Sequence, residues 1–335
     1  MADLILALDQ GTTSTRAIVF DPVAWRPVAT AQMPLEQHFP HPGWVEHDAD
    51  EVWRAALQVC REAIDQAGGP DRIATLGLTN QRETTVLWER ATGRPLHRAI
   101  VWQDRRTAAV TDALKAGGHE PMIQAATGLV LDPYFSASKI AWLLDHIDGA
   151  RVRAEAGDLC AGTIDAWLMF KLTGGQCHVT DVTNASRTSL FDLTGLDWRD
   201  DLLALFNVPR AVLPEVVPSA GPFGETPPEL FGQPIPITGC AGDQQAALVG
   251  HGALTPGATK ITYGTGAFLV AHTGDRPVAS TNRLLSTVAY QAGGQTAYAL
   301  EGSIFSAGST VQWLRDAMGA VGHSRETEAV AQALS

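Results

Sequence analysis

Several common signatures are missing from this chain, and each absence removes a class of function. Its four cysteines, Cys60, Cys160, Cys177 and Cys240, show no CxxC spacing and mostly sit in apolar stretches or beside Gly and Ala. They read as buried thiols, not as a disulfide framework or zinc site. The ten histidines form no HxxxH or HExxH pair, which argues against a histidine metal centre. Ser186 and Ser189 lack a G-x-S-x-G context, so nothing supports a serine hydrolase. No block of Lys or Arg stands out, and Lys+Arg of 24 against Asp+Glu of 36 gives a formal charge of −12. That balance argues against nucleic acid or an anionic membrane as the main partner. No apolar run approaches membrane-spanning length, and no basic segment precedes the first short one, so the expectation is a cytoplasmic, reducing setting. Neither G-x-x-x-x-G-K-[ST] nor a post-strand G-x-G-x-x-G occurs, which removes the two commonest nucleotide loops.

What is present is a 335-residue chain with 45% apolar and 18% charged residues, the profile of a packed α/β protein large enough for two domains. A short motif appears twice. Leu4–Leu8 runs into Asp9-Gln10-Gly11-Thr12-Thr13-Ser14 and then Ala17–Phe20. Thr259–Thr262 runs into Tyr263-Gly264-Thr265-Gly266 and then Ala267–Ala271. Each reads as strand, tight Gly-Thr turn, strand, with backbone N–H groups and hydroxyls at the tip that suit phosphate. Two such hairpins suggest a duplicated domain gripping a nucleotide between its halves.

Along the chain, strands are expected at Leu4–Leu8, Thr15–Phe20, Val28–Met33, Ile73–Thr79, Thr85–Trp88 and Ala99–Trp102. A helix should start near Asp48, with Glu51 completing a capping box, and run to Gly68. Further helices are expected near Arg105–Ala116, Ser138–His146 and Thr163–Leu172, and the Pro- and Gly-rich stretch Pro209–Pro236 reads as a surface connection. A strand at Ile235–Gly239 precedes a helix opened by Gly242-Asp243-Gln244-Gln245. The second meander takes Lys260–Thr262, Phe268–Ala271 and Leu284–Tyr290; a strand at Thr296–Leu300 and a helix over Phe305–Met318 follow. The division is then 1–250 and 251–335. The second unit lacks the later βα pairs that would finish a comparable sheet, so the chain reads as a truncated one.

Asp9, at a strand end beside Thr12, Thr13 and Ser14, could hold Mg²⁺ through water, or serve only the turn. Arg82 and Glu83, after the strand ending at Thr79, offer the fixed donors and acceptors a vicinal polyol needs, or form a surface salt bridge. Asp243 is either an N-cap or a general base accepting a hydroxyl proton during attack on a γ-phosphate. Trp102, Tyr134 and Phe268 are either core or pocket wall.

Ala7–Ser14 (ALDQGTTS), Gly43–Asp48 (GWVEHD), Thr79–Thr85 (TNQRETT), Val101–Thr107 (VWQDRRT), Asp132–Ser136 (DPYFS), Thr180–Thr188 (TDVTNASRT), Ala241–Ala247 (AGDQQAA), Tyr263–Phe268 (YGTGAF) and Tyr298–Gly302 (YALEG) occur in order over nearly the whole chain. Together they resemble the FGGY carbohydrate-kinase family, and several are particular to its glycerol-phosphorylating members. The resemblance implies an actin-like ATPase (ribonuclease H-like) fold of duplicated domains: a complete N-terminal polyol- and phosphate-binding domain and a partial second, nucleotide domain. It implies ATP and Mg²⁺ as cofactors and phosphorylation of glycerol to glycerol 3-phosphate; glycerol and ATP would be the partners, with homo-oligomerisation left open. By motif, Arg82, Glu83, Tyr134, Asp243 and Gln244 would contact glycerol, Asp243 as base, with Trp102 and Phe268 as the apolar wall. Thr12, Thr13, Ser14, Arg16, Thr265, Gly266, Gly308 and Gln312 would contact the nucleotide, and Asp9 the metal. Relatives are substantially longer, and a Gly- and Arg-containing regulatory loop of some bacterial members is replaced by Leu230-Phe231-Gly232-Gln233-Pro234, which has no Arg. The alternatives are a kinase for another polyol or a ketose such as a pentulose, a non-catalytic polyol-binding fragment, and an actin-like or chaperone ATPase without a small-molecule acceptor.

Overall fold

The apolar run at the N-terminus forms a strand whose period of two sends Leu4, Leu6 and Leu8 to a buried face and Ile5 and Ala7 to a half-buried one. The computed structural model describes residues 3–264 and 266–334. β1 (Leu4–Gln10) and β2 (Ser14–Asp21) pair antiparallel, and β3 (Arg26–Pro34) joins β2. Leu4, Leu6 and Leu8 point to one face of β1, where α1 (Ala49–Gln66), which follows the short β4 (Glu46–His47), covers them with Val52, Ala56, Val59 and Cys60. Asp48 caps α1, accepting from the backbone N–H groups of Asp50 and Glu51 at 2.9 and 3.2 Å. The expected capping box is only half made: the Glu51 carboxylate turns to the backbone N–H of Glu36 instead.

β5 (Ile73–Asn80) lies parallel to β1. β6 (Thr85–Glu89), β7 (Ala99–Ile100) and β8 (Leu159–Thr163) form with β4 a four-stranded sheet ordered β4-β7-β6-β8, and α2 (Ala108–Ala116), α3 (Glu120–Thr127), α4 (Ser136–His146) and α5 (Ala150–Glu155) lie between β7 and β8 in the chain. α6 (Ile164–Leu172), β9 (Val179–Asp181), α7 (Val182–Ala185) and α8 (Asp200–Phe206) follow. Next come β10 (Glu215–Val217), β11 (Ala220–Glu225), α9 (Pro228–Phe231), β12 (Pro236–Gly242) and α10 (Asp243–Gly250). The main sheet has six strands in the order β11-β12-β5-β1-β2-β3, with β12 parallel to β5. The stretch expected to be a surface connection is therefore ordered and partly core. β11 forms a sheet edge, and Val212, Leu213, Phe223 and Phe231 are buried. Most of its prolines sit beside helix starts and strand ends, and Pro222 lies inside the edge strand β11 where its register with β12 is irregular, places where a missing N–H costs little.

The second hairpin joins β13 (Thr259–Tyr263) to β14 (Ala267–Gly274); β15 (Leu285–Ala292) and β16 (Gln295–Ile304) complete a sheet ordered β13-β14-β16-β15. α11 (Gly308–Asp316) and α12 (Glu326–Leu334) follow. The helix expected over Phe305–Met318 is shorter, and none of α11 is buried, so its apolar stripe of Val311 and Leu314 meets no core. Cys60, Cys160 and Cys240 are buried free thiols, as expected, and burial pushes the Cys60 thiol up to about 12. Among the described residues no helix is long and apolar enough to cross a membrane.

Candidate active site

Three strands of the main sheet end side by side. Register places Gln10 beside Asn80, and Asn80 beside Gly242, so β1, β5 and β12 release the chain at Gly11, Gln81 and Asp243 along one edge. Strand ends of this kind leave backbone groups and side chains unpaired and open to a ligand. After β5 the chain makes a three-residue γ-turn, with the N–H of Thr84 donating to the Arg82 carbonyl at 2.8 Å and Glu83 held at φ 61°. A glutamate in that region is strained. The turn puts the side chains of Arg82 and Glu83 on the same side of the sheet edge. Gly242 permits this: a Cβ there would lie 2.7 Å from both Cγ and Cδ of Arg82.

A cavity of about 190 Å³ opens at this edge. It brings together Thr12, Thr13, Arg82, Glu83, Trp102, Tyr134, Asp243, Gln244, Gly266 and Phe268 from the sequence expectations, and adds Gln81, Thr262 and Gly264. The turn tips of both hairpins thus line one space. Trp102 donates from Nε1 to Thr12 Oγ1 at 2.9 Å, and its ring meets Tyr134 and Phe268 edge-on with centroids 5.8 and 6.2 Å apart. One wall is aromatic, the other ionic.

Arg82 is held by several acceptors: Nη1 donates to Gln245 Oε1 at 3.2 Å and Glu301 Oε2 at 2.5 Å, and Nη2 donates to Glu301 Oε1 at 3.1 Å. Its Nε lies 3.3 Å from Asp243 Oδ1 and 3.9 Å from Glu83 Oε1. Arg187 donates to Glu83 at 2.7 Å and to Glu301 at 2.9 Å. Burial opposes the charge on Glu301, but Arg187 and Arg82 overcome it and pull the carboxyl down to about 2. Burial pushes the Glu83 carboxyl up against the same two guanidiniums. Burial also raises the Tyr134 phenol well above its usual range, keeping it a neutral donor.

Asp243 is the first residue of α10, not its N-cap; Gly242 holds the cap position. The Asp243 carboxylate accepts from the backbone N–H of Gln244 at 2.7 Å and from Gln244 Nε2 at 3.1 Å, and stays part-exposed to the cavity. Asp9 has its carboxyl raised, first by burial and then by the negative charge of Asp243, with Arg16 opposing. Two like charges sharing a site favour a cation between them. Thr79, beside Asp9 in register, has a buried Oγ1 with no hydrogen-bond partner among the described residues. These groups fit a hydrated divalent ion better than a fully protein-ligated one, since no third close ligand group joins them among the described residues.

Other expected nucleotide contacts lie further out. Ser14 and Arg16 sit on β2 and bond Gln32, at 3.0 and 3.1 Å. Gly308 donates to the Gly264 carbonyl at 2.9 Å, tying α11 to the second turn, while Gln312 is exposed on α11 and outside the cavity. Thr265 lies outside the described residues. Sequence reasoning missed Arg187, Glu301, Gln245 and Lys260, which hold the lining residues Arg82, Glu83 and Gln244 from behind. Arg187, Glu301 and Gln245 fall inside the quoted stretches at 180–188, 298–302 and 241–247, but their partners are remote, Arg82 and Glu301 being 219 residues apart.

Residues 4–250 match the model for the N-terminal domain of the FGGY family of carbohydrate kinases, and residues 259–335 match that for its C-terminal domain. The chain belongs to the FGGY family of carbohydrate kinases. Glycerol kinase from Methylobacterium nodulans is 58% identical over 333 residues, spanning 99% of this chain and 66% of that protein. The Gluconobacter oxydans glycerol kinase is 56% identical over 329 residues, spanning 98% of this chain and 64% of its own length. This FGGY chain therefore spans slightly less than two thirds of the length of either relative. Among solved structures, Plasmodium falciparum glycerol kinase with ADP superposes with a TM-score of 0.87 at 39% identity, covering 93% of this chain and 63% of that one. Xylulose kinase from Rhodospirillum rubrum gives 0.82 at 26% identity, covering 93% and 62%. The fold is the actin-like ATPase fold of this family, with both hairpins facing one cleft.

Proposed function

We propose that this FGGY chain carries the acceptor site and phosphate-facing turns of an ATP-dependent glycerol kinase, making glycerol 3-phosphate. One observation carries the reading: a part-exposed carboxylate, Asp243, shares a 190 Å³ cavity with a fixed Arg-Glu pair, an aromatic wall and both Gly-Thr turns. The carbon chain of glycerol packs on Trp102 and Phe268, while Arg82, Glu83, Tyr134 and Gln244 bond its hydroxyls. Asp243 accepts the proton of the attacking hydroxyl. That oxygen bonds to the γ-phosphorus as the bond to the ADP oxygen breaks. Thr12, Thr13 and Gly266 line the cavity and would meet the phosphates; Ser14, Arg16, Gly308 and Gln312 lie outside it and, with Thr265 by its motif, would contact the rest of the nucleotide. Asp9, with Asp243 nearby, would hold Mg²⁺ through water, and the ion when bound neutralises charge on the phosphates.

The reading assigns residues 1–250 to polyol and phosphate binding and 251–335 to the start of the nucleotide domain. Glycerol-dependent ADP release by the purified chain with ATP and Mg²⁺ tests it, alongside a panel of polyols and pentuloses. Asp243→Asn should lower turnover by about a thousandfold or more while leaving the glycerol KM within severalfold. A pentulose preferred over glycerol would sink the substrate assignment. A second reading, polyol binding without turnover, is favoured by the lack of any buried residue in α11. It predicts glycerol heat in calorimetry with no ATP heat.

A further inference from the structure

Two charged side chains of the second hairpin's sheet reach the polar lining of the cavity. Glu301, on β16, is fully buried, and its carboxylate bridges the two guanidiniums of Arg82 and Arg187; Ser303 Oγ donates to it at 3.0 Å. Lys260, on β13, is 4% exposed and donates from Nζ to Gln244 Oε1 at 2.5 Å. The amide of Gln244 then donates to Asp243. Lys260, Gln244 and Asp243 thus form one chain ending on the carboxylate that faces the cavity.

Donor counting shows what Glu301 does. A guanidinium has five N–H groups. In Arg82 the Nε–H faces Asp243, the two on Nη1 go to Gln245 and Glu301, and one on Nη2 goes to Glu301. Among the described residues one Nη2–H is left for a ligand, and its direction is fixed because Glu301 grips both nitrogens. Charges also balance: Arg82, Arg187 and Lys260 stand against Glu83, Glu301 and Asp243. Removing one member of such a buried set leaves a charge without compensation.

We propose that Glu301 and Lys260 are positioning residues of the acceptor site: Glu301 aims Arg82, and Lys260 aims Gln244 and, through it, Asp243. Acceptor affinity is then set jointly by the two sheets, not by residues 1–250 alone. The inference rests on reading the cavity as a glycerol site.

Calorimetry of the whole chain with glycerol and no nucleotide tests it without requiring turnover, with circular-dichroism melts run in parallel. Glu301→Gln should weaken glycerol at least tenfold, with Glu301→Asp in between. Lys260→Met should weaken it severalfold, with part restored by Lys260→Arg. A second ligand, 1,2-propanediol, separates aiming from general loosening. The glycerol-to-propanediol affinity ratio should fall towards one in Glu301→Gln, whereas loosening would weaken both alike. If Glu301→Gln fails to fold, Lys260→Met, which keeps the aliphatic stem, carries the test. Folded variants that keep wild-type affinity and discrimination overturn the inference and leave the glycerol reading intact. A wild-type chain that gives no glycerol heat overturns both.

Discussion

The two Gly-Thr hairpins share a sequence pattern and differ in their support. β1 lies inside a six-stranded sheet, with β2 on one side and β5 on the other, and buries every second residue beneath α1. β13 pairs only with β14 and is an edge among the described residues; Ile261 on it is 48% exposed and Tyr263, at its end, 80%. Beside this open face lies a cavity of about 640 Å³ with Val130, Leu269, Leu285 and Ile304 in its lining. A turn motif can therefore be placed correctly by local chemistry while its rigidity depends on what packs behind it. The first turn has a core behind it; the second relies on β14, the contact from Gly308 to Gly264 and the ionic contacts of Lys260 and Glu301.

Matched truncations should break or sharpen this contrast most strongly. Leu8→Ala, at a fully buried β1 position, should cost about 2–5 kcal/mol in denaturant unfolding, whereas Ile261→Ala should stay within about 0.5 kcal/mol. Equal costs would mean that the second sheet is as well covered as the first.

A smaller effect separates the units by pH. Asp165, on α6 of the first unit, is buried beside Asp181, and burial with that neighbouring charge raises it to about 6 from 3.8. Its folded form holds the proton more tightly, so the contribution is fully present below about pH 3.8 and is lost as pH rises through about 6. Asp165→Asn should therefore remove a loss of order 2–3 kcal/mol over that window. Glu301, on the second sheet, has the opposite sign. Lowered to about 2 from 4.5, it contributes above about pH 4.5 and loses that contribution as pH falls towards 2. Urea titrations of wild type, Asp165→Asn and Glu301→Gln across pH 2–7 would show the two slopes, and the same slope for both carboxylates would contradict the assignment.

Much of this was legible in the sequence because it is local. Both hairpins, α1 with its Asp48 cap, β5 and the AGD entry to α10 follow from period and turn chemistry. The short helices α5 and α8, of six and seven residues, give under two turns of pattern and are not visible in the sequence. The 209–236 stretch reads as a loop although it holds the edge strand β11, because proline density looks the same in a loop and in an edge strand. At the site, Arg82, Glu83 and Asp243 announced themselves at strand ends, but Arg187, Lys260 and Glu301 did not. A charged residue in an apolar strand has no local signature that names its partner. Glu301 meets Arg82 only because two sheets face each other.

The most direct test of the account is amide hydrogen exchange of the chain with and without glycerol. If glycerol sits between the two turns, it should slow exchange together at residues 11–14, 81–84, 242–245 and 264–268. Slowing confined to the first three segments, or absent from all four, would contradict an acceptor site shared by the two hairpins.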